Sequence, residues 1–304
     1  MIVKKQKVKG IMIYYVDKCI SDENMLSLKN TYVNKNQIKL IIDHDADVYS
    51  ANDDKLLIKF RKKVLTQNNI NLFYDNIIKF AMTPTSNRGS TSGSKNKNVL
   101  NNPKIMSNIF GFFDKFSPKQ KYLMNKKKMR NLLSVRETRF NQDYYEQYKK
   151  TLPLIKEIDH LYEKYIPENY KKQKQKANQT PFKIDGTSFT TITTNVNFTT
   201  TIHKDTGDDI EGFGNLSVIE NGEYTGGETC LPQYGIGVDV RNNDILFMDV
   251  HEWHGNLPIK LINSDAKRLS IVCYLRYNVW EKTKHKTKKF MIKHNKTVRK
   301  IKST

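Results

Sequence analysis

Cysteine is scarce: Cys19, Cys230 and Cys273 are the only three in 304 residues, and they stand far apart. That excludes a disulfide framework and a paired-cysteine zinc site, and it fits a reducing compartment. Long apolar runs are also missing. None approaches the roughly 18–20 residues of a membrane-spanning helix, so no membrane partner is expected. The Lys-rich start Met1–Gly10 has no signal-type apolar stretch behind it, which predicts an intracellular location, nuclear or cytoplasmic. No Gly-x-Gly-x-x-Gly or Gly-Lys-Ser/Thr pattern surrounds Gly226, Gly227, Gly235 and Gly237, so these read as turn and bulge residues and not as a phosphate cradle. Acidic residues are outnumbered, with 31 Asp and Glu against 52 Lys and Arg, a formal charge of +21. A polyanionic partner is expected from that imbalance. A Lys- and Asn-heavy composition also fits a biased viral or microbial genome.

What is present suffices for a folded catalytic domain with polar extensions: apolar residues make up 38% of the chain. A monomer is expected. Residues 1–82 read as an α/β segment, with Ile11–Val16 a strand and Leu56–Ala81 carrying apolar residues at mixed helical spacing. Residues 83–103 are polar and rich in turn formers, a linker or a long functional loop. Residues 104–280 read as the main domain. In it, Pro118–Gln175 has helical periodicity, with Ile155, Ile158, Leu161, Tyr162 and Tyr165 on one stripe and Pro167 closing it. From Phe182 to Trp280 the texture turns β-branched and aromatic, punctuated by glycine. The predicted strands are Ser188–Ile202, Phe213–Ile219, Gly235–Val240, Asp244–Asp249, Leu257–Ile262 and Arg268–Val279, spaced as in a jelly roll. Residues 281–304 read as a flexible basic tail.

The chemistry gathers in the β-rich part. His203 and Asp205 are two apart at a strand end, a spacing that puts both on one face and lets them chelate one metal. A histidine of the segment Asp249-Val-His251-Glu-Trp-His254 would complete a 2-His-1-carboxylate triad, which holds Fe(II) and leaves three positions for co-substrate and oxygen. His-Glu-Trp-His is not a zinc-protease pattern, which needs histidines at i and i+4 of one helix. Fourteen residues after His254, alternation puts Arg268, Ser270, Val272, Tyr274 and Arg276 on one strand face. A guanidinium is the natural bidentate partner of a carboxylate, here that of 2-oxoglutarate.

With these residues in place, the region of about 166–280 resembles the TET/J-binding-protein family of Fe(II)- and 2-oxoglutarate-dependent nucleic-acid base dioxygenases. The resemblance runs through Ile166-Pro-Glu-Asn-Tyr170, Phe189–Thr201, His203-Lys-Asp205-Thr-Gly-Asp208 and Tyr224–Gly235. It continues through Asn243–Asp249, Trp253-His-Gly-Asn256 and Arg268–Arg276. It implies an α+β fold, a double-stranded β-helix of jelly-roll, cupin-like type with supporting α-helices. It implies Fe(II), 2-oxoglutarate and O2, with His203, Asp205 and His254 as iron ligands, His254 preferred over His251 because Pro258 and the Arg-x-Ser strand follow it. Arg268, with Ser270, becomes the 2-oxoglutarate anchor.

By the same resemblance the partner is DNA with a pyrimidine flipped out of the stack. Asp208 would meet the base, accepting from the cytosine amine, and Tyr274 would stack on it. Arg276 stands where vertebrate-type members carry a histidine and would donate to a base carbonyl or a phosphate. Asn197 shares the parity of His203 and would touch 2-oxoglutarate or the base. The alternative for Asn197, two residues after Asn195, is a polar barrel position. Arg88-Gly89 resembles the family's arginine-glycine loop near the DNA backbone or the active-site mouth. The expected product is a hydroxymethyl pyrimidine, from 5-methylcytosine ahead of thymine. Two rival functions are a 2-oxoglutarate-dependent hydroxylase of protein side chains and a non-catalytic DNA binder with a vestigial barrel. Lysine clusters at Lys126–Arg130, Lys171–Lys176 and the C-terminal tail are candidate phosphate contacts.

Overall fold

The computed structural model describes residues 1–126 and 132–302, so most of the Lys126–Arg130 cluster, from residue 127, lies outside the described residues. The chain divides into two compact units, each assembled from separated stretches of sequence.

The first unit comprises residues 1–108, 193–206 and 213–272. Its large sheet takes the order Ile2–Val8, Ile11–Val16, Ala46–Ser50, Leu56–Arg61, Ile245–Met248, Gly214–Asn221, Lys267–Tyr274, Thr191–Val196. The strand Ile245–Met248 is buried at all four residues between two antiparallel neighbours, which is why its sequence is a continuous apolar run. A smaller sheet takes the order Gly255–Asn256, Thr229–Leu231, Ile236–Val238, Leu40–Ile42. A core that includes Val16, Ile42, Val48, Phe60, Leu231, Ile236, Leu246 and Met248 fills this unit. The segment 1–82 is thereby built into both sheets of the barrel. Ile11–Val16 forms the strand its apolar run predicts, whereas Leu56–Ala81 splits into the strand Leu56–Arg61 and the helix Gln67–Ala81. Two periodicities in succession gave that stretch its mixed spacing.

The second unit comprises residues 109–192, 207–212 and 273–304. Its helices Tyr145–Tyr165 and Pro167–Asn178 bury the predicted stripe of Ile155, Ile158, Leu161 and Tyr162. Pro167 opens the second helix as well as closing the first, since a proline at the first helical position loses no intrahelical bond. Asp159, almost fully buried, accepts from the Ser188 amide and hydroxyl at 2.7 and 2.6 Å and from the Tyr170 hydroxyl at 3.0 Å.

Among the predicted elements that differ, two lie towards the C-terminus. The last predicted strand stops at Tyr274, and Tyr277–Thr283 is a helix. The expected flexible tail contains the helix Lys288–Lys302, with Val298 and Ile301 buried against Phe116 and Met124. The lysine count masked Met291, Val298 and Ile301, apolar residues at helical spacing on the buried face. Among the described residues no helix is long and apolar enough to cross a membrane.

Candidate metal centre and active site

His203 and Asp205 do not lie in a regular strand, as their spacing predicted; the strand ends at Val196 and the ligands sit in the irregular chain beyond it. What holds them is a reciprocal pair of backbone bonds, His203 N–H to the His254 carbonyl and His254 N–H to the His203 carbonyl, both 2.9 Å. The Asp205 amide donates to Val250 O at 2.9 Å. Asn256 strengthens the pairing, its Oδ1 accepting from the Thr200 amide and hydroxyl, both at 2.7 Å.

The result is one cluster of ligand atoms from His203, Asp205 and His254, all within 4.8 Å of one another. Asp205 offers one oxygen to each ring, 3.7 Å from His203 Nε2 and 3.6 Å from His254 Nε2. Each imidazole donates its Nδ1–H to a carbonyl: His203 to Thr201 at 2.7 Å, His254 to Glu252 at 2.9 Å. A carbonyl can only accept, so the neutral rings carry their lone pairs on Nε2, facing the carboxylate. Burial, with His254 beside it, pushes His203 down to about 4, so its imidazole is neutral at physiological pH. Burial opposes charge on His254 and Asp205 too, but their mutual pairing wins, raising the histidine and lowering the carboxyl. His251 stands outside the cluster, its amide donating to Asp249 Oδ1 at 2.9 Å.

Arg268 is 4% exposed, and its Nη2 donates to Gly227 O at 2.8 Å. No carboxylate pairs with it, and its Nε has no partner among the described residues. Burial pushes its pKa down, with Tyr224 the main opposing influence. A buried guanidinium with an unused donor fits the carboxylate of a bound acid. Gly227 lies so close that a Cβ there would stand 2.7 Å from Arg268 Nε, and its φ of +81° is the left-handed region glycine favours. Ser270, buried on the same strand, accepts from Asn195 Nδ2 at 3.3 Å.

Arg88 is part of this first unit. Its Nε donates to Ser107 Oγ at 3.0 Å and its Nη2 to Thr193 Oγ1 at 3.2 Å, while Ser107 donates to Asn195 Oδ1 at 2.6 Å. A polar chain thus runs from Arg88 through Ser107 and Asn195 to Ser270. The positive charge of Arg88 also bears on both His203 and Asp205. Its loop is stitched to the metal segment, Thr201 donating from N to Thr91 O at 2.9 Å and from Oγ1 to Ser90 O at 3.0 Å.

Asn197 requires a correction. Its side-chain Oδ1 accepts from the Arg268 amide at 2.7 Å and its Nδ2 donates to Ala266 O at 2.8 Å, so its amide is spent on fixing the start of the arginine strand. Parity in an extended strand does not apply, because Asn197 has φ +49°. In the second unit, Arg276 donates from Nε to the buried Asp114, which holds that carboxyl below its ordinary value despite burial. Asp208 forms a β-bridge with Arg276. Arg276 Nη1 would lie 2.5 Å from a Cβ at Gly207, which therefore leaves the guanidinium room. Tyr274 is buried, its carbonyl accepting from the Thr190 amide at 3.1 Å. Sequence reasoning missed Asp114, Asn256 and Thr193. It also missed Lys55, which pairs with Asp249 at 2.6 Å and Glu252 at 2.8 Å on the loop carrying His254. Only Asn256, in Trp-His-Gly-Asn, carried a local signal.

The profile of the Tet_JBP family, described as the oxygenase domain of the 2OGFeDO superfamily, matches residues 121–277, just over half of the chain. The chain belongs to this family. It is one of iron- and 2-oxoglutarate-dependent oxygenases, and the His-Asp-His cluster is a group of side chains that could hold a metal ion. Thymine dioxygenase JBP1 of Trypanosoma brucei brucei is 34% identical over 146 residues, 47% of this chain and 17% of the relative. The bifunctional helicase and thymine dioxygenase JBP2 of Leishmania braziliensis is 30% identical over 200 residues, 66% of this chain and 16% of that protein. The matches therefore span less than a fifth of those relatives. Among solved structures, NgTET1 in complex with 5mC DNA matches with a TM-score of 0.54 and 16% identity, covering 91% of this chain and all of that one. That likeness bears out the expected α+β jelly-roll fold.

Proposed function

We propose that this protein is an Fe(II)- and 2-oxoglutarate-dependent dioxygenase that hydroxylates the methyl group of a pyrimidine base in DNA. The observation that carries the reading is the joint presence of the His203–Asp205–His254 cluster and a buried arginine, Arg268, that pairs with no carboxylate among the described residues and whose Nε has no partner there. A vestigial barrel has no reason to maintain an uncompensated buried cation. His203, Asp205 and His254 would hold the iron. Arg268 and Ser270 would anchor the far carboxylate of 2-oxoglutarate. When bound, the metal and 2-oxoglutarate activate O2 and supply the oxidant for C–H hydroxylation.

The chain's own residues do the rest. The two Nδ1–H bonds keep both imidazoles in the ligating tautomer and fix their planes. Arg88, held by Ser107 and Thr193, places a positive charge beside the metal set and suits an anionic ligand atom there. Asp208, Tyr274 and Arg276 are the residues we assign to the base, with Asp114 fixing the Arg276 side chain. The net charge of +21 suits a polyanion over a protein side chain.

On the base itself, the 30–37% identical relatives named thymine dioxygenases weigh more than a 16% identical structure. Thymine therefore comes first and 5-methylcytosine second, the reverse of the order expected from sequence. The two polar groups assigned to the base do not decide between them, since Arg276 offers donors to thymine O4 while Asp208 can accept from the cytosine amine. The test is nucleoside mass spectrometry after incubation with Fe(II), ascorbate, 2-oxoglutarate and duplex DNA carrying both bases. Hydroxymethyluracil that is absent with His203→Ala is the expected outcome. Succinate without an oxidised base would refute the DNA substrate and favour a protein side chain.

A further inference from the structure

The helix Lys288–Lys302 buries Val298 and Ile301, and its His294 ring shares a hydrogen bond of 2.7 Å with the Val135 carbonyl. That burial fixes which residues face outward. Lys288, Lys289, Ile292, Lys293 and Lys296 are exposed and line one open concavity of about 510 Å³. We propose that this face is a docking surface for the phosphate backbone of duplex DNA, an inference that rests on the reading that the target base is carried in DNA.

The other basic stretches show why this one stands apart. On the helix Pro167–Asn178, Lys172 pairs with Glu211, Lys174 with Asp159, and Lys176 with both Asp209 and Glu211. Three of that cluster's four lysines are thus paired from within, Lys171 being the exception among the described residues. On the C-terminal helix Arg299 pairs with Glu137 at 2.6 Å, but Lys288, Lys289, Lys293 and Lys296 have no ion pair among the described residues. No acidic residue follows Glu281 in the sequence.

Such a set is unfavourable on its own. Lys289 and Lys293 are four apart, Lys293 and Lys296 three apart, and like charges at those spacings destabilise a helix. Lys288 and Lys289 stand in the first turn, where the helix dipole also disfavours cations. A polyanion reverses the sign of every one of these interactions. The dimensions suit a phosphate rail: Lys288 to Lys296 spans about 12 Å of helix, a length over which duplex DNA carries about seven charges. An open concavity floored by Ile292 lacks the closed ring of donors that a single small anion would require.

The test uses the full chain with His203→Ala, so that binding is read without turnover, and a 20-base-pair duplex lacking modified bases. Fluorescence anisotropy from 50 to 200 mM salt gives the slope of log affinity against log salt. Replacing Lys288, Lys289, Lys293 and Lys296 together with Gln removes up to four phosphate contacts. The slope is expected to flatten by about 3–4, and affinity at the lowest salt to fall about a hundredfold relative to the same change at the highest. An Arg version of the same four positions should restore both. Unchanged slope in a Gln variant whose circular dichroism matches the parent overturns the proposal. Stronger binding of single-stranded RNA than duplex through the same lysines overturns the DNA assignment. Because no oxidation is measured, a protein that fails to oxidise DNA yet keeps the four-lysine effect separates failure of the catalytic reading from failure of this one.

Discussion

At the scale of single residues, the active site depends on small groups that make room for charged ones. Gly227 is the sharpest case, since a Cβ there meets Arg268 Nε at 2.7 Å in a backbone conformation that side chains avoid. Gly227→Ala should displace the guanidinium and raise the KM for 2-oxoglutarate about tenfold or more, with iron affinity unchanged; steady-state kinetics beside a metal titration distinguishes the two. An unchanged KM would detach Arg268 from the co-substrate. Asp114 is a second such residue, buried against Arg276. Its folded pKa lies below the ordinary carboxyl value, so its contribution is complete above about pH 4, the unfolded value, and is lost as pH falls through the folded one. Asp114→Asn should therefore cost about 3 kcal/mol at neutral pH and flatten the loss of stability at acid pH. Urea unfolding at pH 7 and pH 3 checks both signs; equal loss at the two pH values would contradict the ion pair.

At the scale of elements, what the sequence revealed was local chemistry, and what it hid was long-range pairing. The spacing of His203 and Asp205, with His254 chosen on the family resemblance, named candidate ligands that the fold brings together, although the expected strand geometry was wrong and reciprocal backbone bonds do the work instead. Asn197 was misread because an extended-strand parity was applied to a residue with a left-handed backbone. Lys55 was invisible for another reason, since its carboxylate partners lie almost two hundred residues away on the loop between Asp249 and His254. It pairs with Asp249 and Glu252, both largely buried, on the loop that carries His254. The Glu252 carbonyl is also the one that sets the His254 tautomer. Lys55→Met should leave two neighbouring carboxylates unpaired and weaken Fe(II) binding about tenfold, while Lys55→Arg should preserve it. Competition with a chromophoric chelator reads that difference, and equal affinities for the Met and wild-type chains would remove Lys55 from the site.

At the scale of the whole molecule, the metal set belongs wholly to one compact unit, because His203, Asp205 and His254 all fall within residues 193–206 and 213–272. Without a metal this unit holds a carboxylate and two imidazoles whose lone pairs converge, an arrangement that a divalent cation stabilises by binding the folded state alone. At one hundred times its dissociation constant a metal adds about 2.7 kcal/mol. Mn(II) offers a redox-silent probe with the same preference for imidazole and carboxylate. Hydrogen exchange should then slow in the segments 200–206 and 249–258, which carry the ligands. It should slow as well in the strand Lys267–Tyr274, whose start is pinned by Asn197. The helices Tyr145–Tyr165 and Pro167–Asn178 of the other unit supply no ligand and should keep their exchange rates. The same protection pattern should vanish in Asp205→Ala. Uniform slowing across both units would mean that they open as one cooperative body, whereas protection confined to the ligand segments would show that metal binding stabilises the barrel locally.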